Sequence, residues 1–165
     1  MEPKSASRAE QAYDTHAAQL YRVAYSLLGS RESAEDAVQD VFARYLSHTG
    51  TFRDSEHEKA WLIRVTVNRC RDLQRAGAVR VYTPLEELLH HPAAEGPSTE
   101  SRTVLEAILA LPEKYRTVLV LHGLEGQPVD MVASELRLTS SAVKMRLKRG
   151  REMLKDALAK EDIHV

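Results

Sequence analysis

Six lysine and arginine side chains lie in the segment LTSSAVKMRLKRGREMLK, residues 138–155, against one glutamate. The whole chain has 23 basic and 24 acidic residues, so this positive charge is local. As a helix, the segment would expose mostly hydroxyl and cationic side chains, with one methionine among them: Ser140, Ser141, Lys144, Met145, Lys148, Arg149 and Arg151. Cationic groups bind phosphates and guanine edges, and short hydroxyl side chains fit near the start of a recognition helix. The segment predicts duplex binding, with a solvated basic face as the alternative.

The residues before this segment favour duplex binding. The sequence QPVDMVASELRLTSSAVKMRLKRGREMLK is typical of a helix, a short turn and a second helix. Apolar positions line one side of this pattern: Val129, Val132, Ala133, Leu136, Leu138, Val143, Leu147 and Leu154. Thr139 or Ser140 can cap the second helix, and the small Ala133 allows the helices to cross closely. The pattern predicts a helix-turn-helix with a basic reading helix.

A second polar stripe lies in the first half of the chain. Arg64, Asn68, Arg71 and Arg75 recur at helical spacing, and Arg53 lies upstream in a loop beside Phe52. Cations beside an exposed aromatic ring can hold single-stranded nucleic acid. The alternative is a solvated helix face, with Phe52 as a core residue under the loop.

An acidic patch lies on the helix before this stripe. Glu32 and Glu35 are explained by the helix dipole, because they fall in its first turn. Asp36, Gln39 and Asp40 lie deeper in the helix and are not explained in this way. We expect these three residues to face a basic protein surface.

The apolar periodicity throughout the chain is helical, with no strand-like alternation of any length. We predict an all-α fold of two small bundles, residues 1–75 and 101–165, joined by an acidic linker over 76–100 that carries a net charge of −3. The linker has three prolines and a possible helical turn at PLEELL. In the first bundle we expect two apolar stripes on successive helices, the first including Tyr13 and the second Leu46. We also expect a third helix over 58–75 with Trp61 in the core.

The composition limits the class of protein. Cys70 is the only cysteine, which excludes an internal disulfide, and no apolar run is long enough to span a bilayer. A cytoplasmic protein is expected. The sequence has no phosphate-binding glycine loop, no HExxH motif and no Cys/His metal spacing. We therefore expect no enzyme activity, no metal and no cofactor.

Three segments in order resemble the extracytoplasmic-function (ECF) sigma factors of the sigma-70 family. AEDAVQDVF resembles region 2.2, AWLIRVTVNRCRDLQR resembles regions 2.3 and 2.4, and residues 111–154 resemble region 4. The resemblance covers about residues 10–75 and 101–156. It implies a factor that binds core RNA polymerase, recognises the −35 and −10 promoter elements and opens promoter DNA for a stress- or signal-responsive regulon.

The resemblance also implies roles for the residues above. Asp36, Gln39 and Asp40 would dock on the coiled coil of the polymerase β′ clamp, while region 4 would meet the β flap. Two further sets would contact DNA. The −10 element would be contacted by Arg53, Arg64, Asn68, Arg71 and Arg75. The −35 element would be contacted by Ser140, Ser141, Lys144, Met145, Lys148 and Arg149. The linker would thread toward the RNA exit channel, and the family implies an anti-sigma factor, often membrane-bound.

The chain departs from the family at the turn, and a second class of protein stays open. The family commonly has Gly where this chain has Arg137, and Gly-Thr where it has Ser141-Ala142. A free-standing helix-turn-helix regulator would explain the C-terminal half equally well, with the first bundle as a ligand or dimerisation domain. It would leave the arginine stripe and the acidic patch unexplained.

Overall fold

A computed structural model describes residues 2–79 and 99–163. Every secondary-structure element in these two ranges is helical, which confirms the predicted all-α fold. The chain divides into two compact units, Met1–Thr83 and Pro84–Val165. Most of the predicted linker and its PLEELL turn lie outside the described residues, so the linker and the domain bounds stay predictions.

The first unit is a bundle of three helices, α1 (Glu2–Leu28), α2 (Arg31–Ser47) and α3 (Ser55–Arg75), and each packs against the other two. Gly29, with a φ of +64°, ends α1 in a left-handed conformation, and the Ser30 hydroxyl caps α2 by accepting from the Ser33 N–H. Aliphatic side chains dominate the core, and its largest fully buried side chains are Leu20, Val23, Tyr25, Val41, Leu62, Ile63 and Val67.

Details of the predicted packing in this unit were wrong. Tyr13 and Leu46 are 43% and 52% exposed, because Ala12 and His16 occupy the inner side of the first half of α1 and Tyr45 that of the last turn of α2. Helix α3 begins at Ser55, three residues before the predicted start, because the Asp54 carboxylate accepts from the His57 N–H.

The second unit contains α4 (Thr99–Leu109), α5 (Glu113–Val118), a π-helical segment (Leu119–Leu124), α6 (Val129–Leu136) and α7 (Ser140–Ile163). Helix α7 packs against all the other elements of this unit. We expected Gly123 to end a helix. It lies instead within the π-helical segment, where the Glu125 N–H donates to the Val120 carbonyl and carries the helical path past the glycine.

Candidate functional site

The turn between α6 and α7 has the geometry of a helix-turn-helix. Arg137 adopts left-handed backbone angles, φ 57° and ψ 45°, and the Leu138 N–H donates to the Ala133 carbonyl at 2.9 Å. This closing hydrogen bond is typical of a helix C-terminus that usually carries glycine. The Thr139 hydroxyl then caps α7 by accepting from the Ala142 N–H at 3.0 Å. The turn therefore forms with Arg137 at the position where the family that the sequence resembles commonly has glycine.

Helix α7 separates apolar from cationic side chains. Val143 and Leu147 are buried against the rest of the second unit. The opposite side is exposed at five of the six predicted −35 positions, Ser141, Lys144, Met145, Lys148 and Arg149. Met145 is 72% exposed, so its whole apolar side chain is available on this face. The structure thus brings the predicted reading residues onto one open face of a helix.

The sixth residue of this set, Ser140, is half-buried and already engaged. Its hydroxyl donates a hydrogen bond to the Asp130 carboxylate on α6 at 2.7 Å. Arg149 makes a looser contact, with its guanidinium 3.4 Å from Glu152 one turn along the helix. The sequence reading missed Asp130, because the two partners are ten residues apart and the contact depends on the turn.

Close packing and buried hydrogen bonds hold α7 and α6 in place. Gly150 is buried, and a Cβ at this position would lie 3.1 Å from a methyl carbon of Leu119. The absence of a side chain therefore lets α7 approach the π-helical segment closely. Before α6, the buried Gln127 donates to the buried Glu135 at 3.2 Å, and His122 Nδ1 lies 2.7 Å from the Gln127 carbonyl.

In the first unit, the predicted −10 residues share the outer side of α3. Arg64, Asn68 and Arg75 are exposed and Arg71 is half-buried. The Arg75 guanidinium pairs with Asp72 on the same helix. Arg53 lies exposed in the preceding loop, and its backbone N–H donates to His57 Nδ1 at 3.0 Å. Arg53 therefore lies beside the first turn of α3, and the other four residues follow along the helix.

The rings beside this stripe form an aromatic cluster that the sequence reading only partly found. Phe52 stacks on His48 with ring centroids 5.0 Å apart and lies 5.8 Å from Trp61. Phe52 and Trp61 are both half-buried, so Trp61 is not the core residue we expected, and Phe52 is neither a core residue nor a free platform. Trp61 and His48 also line a shallow open pocket of about 410 Å³ with Arg44 of α2.

The predicted acidic patch is exposed at Asp36 and Gln39 and half-buried at Asp40. Asp40 forms a salt bridge from α2 to α3, with its Oδ2 atom 2.8 Å from Arg69 Nε. We expected Asp40 on the exposed side of the helix, where it is only half-buried, but its pairing with Arg69 was not foreseen. One oxygen of Asp40 stabilises the contact between the two helices.

A second polar contact joins all three helices of the first unit through Glu58. The Tyr45 hydroxyl of α2 donates to Glu58 Oε2 at 2.9 Å, and His16 Nε2 of α1 lies 3.3 Å from Glu58 Oε1. Burial, and then the hydrogen bond to Glu58, raises the pKa of the Tyr45 phenol.

Cys70 is fully buried on α3, and burial raises the pKa of its thiol to about 12. Such a thiol remains protonated at neutral pH and is a poor nucleophile.

Over residues 2–79 and 99–163, no group of three or more His, Cys, Asp or Glu side chains is placed to hold a metal ion. In the same ranges, no helix combines the length and the apolar character that a membrane span requires.

Comparison with known proteins matches both units to one family. Residues 12–79 match sigma-70 region 2, and residues 101–154 match sigma-70 region 4. The chain is 32% identical over 154 residues to the ECF RNA polymerase sigma factor SigE of Mycolicibacterium smegmatis, an alignment that covers 88% of this chain and 59% of SigE. It is 29% identical over 160 residues to the ECF RNA polymerase sigma factor SigW of Bacillus subtilis, covering 88% of this chain and 86% of SigW.

Two solved structures are similar over most of the chain. One is the sigma factor RpoE in complex with the anti-sigma factor NepR from Bartonella quintana, with a TM-score of 0.62, 25% identity and coverage of 91% of this chain and 96% of that one. The other is CnrH in complex with the cytosolic domain of CnrY, with a TM-score of 0.57, 25% identity and coverage of 96% and 97%. Since both family regions match in order and ECF relatives align with most of the sequence, the chain belongs to the ECF group of the sigma-70 family.

Proposed function

We propose that this chain is an ECF-type sigma factor that recruits core RNA polymerase to promoters and opens the DNA to initiate transcription. The observation that carries the proposal is the open cationic face of α7, in a chain whose other unit matches sigma-70 region 2. A stress- or signal-responsive set of genes is the proposed target. Such a factor is a non-enzymatic subunit that acts at the chromosome, so we also propose that it works in the cytoplasm.

Helix α7 is proposed to enter the major groove of the −35 element. Recognition helices of this class present their N-terminal residues to base edges, while the preceding helix crosses the backbone. Lys148 and Arg149 would supply contacts to phosphates or guanine, and Ser140, Ser141, Lys144 and Met145 would lie against the bases. The exposure of this face supports the proposal, because a duplex can reach it without rearrangement of the second unit.

Helix α3 and its loop are proposed to open the −10 element. An unstacked base costs a few kcal/mol to extrude, and stacking and polar groups must offset that cost. The adjoining Arg53, Arg64, Asn68, Arg71 and Arg75 offer cations and one amide, and the aromatic cluster of Tyr45, His48, Phe52 and Trp61 lies beside them. This combination of positive charge and rings is what single-stranded DNA requires.

Helix α2 is proposed to dock on the β′ clamp coiled coil of core polymerase through Asp36, Gln39 and Asp40. Complementary charge at a protein interface guides association and suppresses wrong partners. The second unit is proposed to contact the β flap. An anti-sigma factor is a further proposed partner, because the similar structures of RpoE and CnrH were solved with NepR and with the cytosolic domain of CnrY.

Transcription from source genomic DNA tests the proposal against a free-standing regulator. Core polymerase with this chain should produce new transcript starts that share two upstream elements, and core polymerase without it should not. The chain should also co-elute with core polymerase. If the chain ignores polymerase and binds an operator as a dimer, the sigma-factor proposal fails.

A further inference from the structure

A hydroxyl–carboxylate contact joins the beginnings of the two helices in the helix-turn-helix. Ser140, the first residue of α7, donates from its hydroxyl to Asp130 Oδ1 at 2.7 Å. Asp130 is exposed in the first turn of α6. Ser141 and Lys144, the next exposed residues of α7, extend from this contact along the proposed DNA-reading face. The contact therefore lies where a recognition helix first meets the bases.

The direction of the hydrogen bond determines what this corner can offer to DNA. A serine hydroxyl has one proton to donate, and here that proton is used by Asp130. The remaining capacity of the Ser140 oxygen and of the Asp130 carboxylate is to accept hydrogen bonds. In the major groove the donors are the N4 amino group of cytosine and the N6 amino group of adenine, whereas guanine and thymine present acceptors. Adenine also places the N7 acceptor next to its donor, which an acceptor-only pair would repel.

We propose that the Asp130–Ser140 pair is a base-specificity element that selects cytosine at the −35 position facing the start of α7. The proposal rests on the assignment of α7 as the −35 reader. The Ser140 oxygen would accept from the cytosine amino group, and Asp130 would hold the hydroxyl in the acceptor orientation. Asp130 is thus a positioning residue, and its charge would also disfavour the O6 and N7 acceptors of guanine and the O4 acceptor of thymine.

The charge of Asp130 supports a role in discrimination rather than in affinity. Lys144, Lys148 and Arg149 on the exposed face of α7 are cationic and attract any phosphate backbone. A carboxylate at the same edge opposes the backbone attraction, so it lowers general DNA affinity. Its position in the first turn of α6 does stabilise the helix dipole, but that role does not require the Ser140 proton.

Selection from a duplex library tests the pair in the full chain bound to core polymerase. The library carries a randomised −35 window, and bound duplexes are sequenced for the wild type and for two variants, Asp130→Asn and Ser140→Ala. The matched control is Ser134→Ala, which removes a hydroxyl from an exposed position elsewhere on α6. Thermal unfolding of each variant accompanies the selection.

The wild type should prefer cytosine by about three- to tenfold at one position, the strength expected of one hydrogen bond between neutral groups. Asp130→Asn should shift that position toward guanine or thymine, because the carboxamide can accept from Ser140 and present an N–H. Ser140→Ala should reduce the cytosine preference severalfold at that position only. Ser134→Ala should leave all positions unchanged.

Two other results would overturn the inference. Wild-type base preferences retained at every position by both folded variants would show that the contact does not read DNA. A uniform loss of affinity without a change in preference would show that the contact only supports the fold. Neither result affects the sigma-factor proposal, which fails separately if the wild-type complex enriches no sequence beyond those bound by core polymerase.

Discussion

The outer side of α3 and the outer side of α7 carry similar charges but differ in what surrounds them. Near α3, Arg69 is paired with Asp40 of α2, Arg75 with Asp72, and Phe52 is stacked on His48. On α7, the exposed side chains include Lys144, Met145 and Lys148, and the contacts of the reading set are confined to its edge. The face proposed to receive an intact duplex is presented in advance. The surface proposed to take up an unpaired strand and core polymerase includes side chains that also hold the bundle together.

This difference determines how each surface is best tested. Truncation of a side chain on the open face of α7 should change DNA binding and leave stability nearly unchanged, since exposed substitutions usually cost within about 0.5 kcal/mol. Substitutions of side chains that are paired within the first unit, such as Asp40, change the fold and the proposed function together. They require a second substitution that restores the internal contact.

The largest effect is expected at Asp40. Asp40→Arg should abolish binding of core polymerase, because it would place a cation against the clamp surface proposed as the partner of α2, a mismatch worth several kcal/mol. It also places two cations together at the α2–α3 contact, since Arg69 is the present partner of Asp40. Co-elution with core polymerase measures the loss.

The double variant Asp40→Arg with Arg69→Asp separates these two causes. The swap restores opposite charges between α2 and α3, so thermal stability should recover. Polymerase binding should not recover, because the surface still presents the wrong charge at position 40. Recovery of both properties would mean that Asp40 acts only within the bundle.

Asn68 tests the α3 face for promoter opening. Asn68→Ala removes an exposed amide from the middle of the stripe, at a position where the side chain supports no core contact. Opening should fall, because polar groups that offset the cost of an extruded base are worth roughly 1–3 kcal/mol. Permanganate reactivity of the melted region measures opening, and closed-complex binding should be nearly unchanged. An unchanged permanganate pattern would remove Asn68 from the proposed −10 set.

Lys148 is the counterpart on the open face of α7. Lys148→Ala should weaken binding to −35 DNA by about 1–3 kcal/mol if the side chain reads a base, and should leave opening at saturating DNA intact. If the side chain contacts phosphate, the loss of affinity should be the same for all sequences. The slope of log affinity against log salt concentration should then decrease by about one. Lys160→Ala, near the far end of the same helix, is the control for loss of charge alone. Equal losses in the two variants would argue against a specific role for position 148.

The sequence predicted the exposed face of α7 better than the surface around α3, for a physical reason. Helical periodicity places Val143 and Leu147 on one side of α7 and therefore Lys144 and Lys148 on the other, with no knowledge of neighbouring helices. The Asp40–Arg69 bridge and the partial burial of Trp61 depend on how α2 and α3 cross. The same applies to Asp130 and Ser140, whose contact needs the left-handed Arg137 between them.

Cys70 links the stability of the first unit to pH. Its thiol pKa is raised from about 9 to about 12 in the folded state, because burial disfavours the thiolate. The folded protein therefore holds the proton more tightly than the unfolded chain, so this contribution is fully present below pH 9 and is lost as pH rises toward 12. Between about pH 8 and pH 10, this thiol should lower the unfolding free energy of the wild type by about 1 kcal/mol. The variant Cys70→Ala should lack this part of the decrease. Urea unfolding at the two pH values measures it, and an equal loss in both proteins would contradict the assignment.

The smallest effect is expected at Arg137, in the turn that both helices of the reading motif share. A side chain in the left-handed region carries a backbone cost that glycine avoids, and glycine in turn loses more entropy on folding. Arg137→Gly should therefore raise the unfolding free energy of the second unit by only about 0.5–1 kcal/mol. Arg137→Ala is the matched control, because it removes the same charge but keeps the strained Cβ. If Arg137→Ala stabilises the unit as much as Arg137→Gly, the charge of the arginine and not its backbone conformation is the source of the cost.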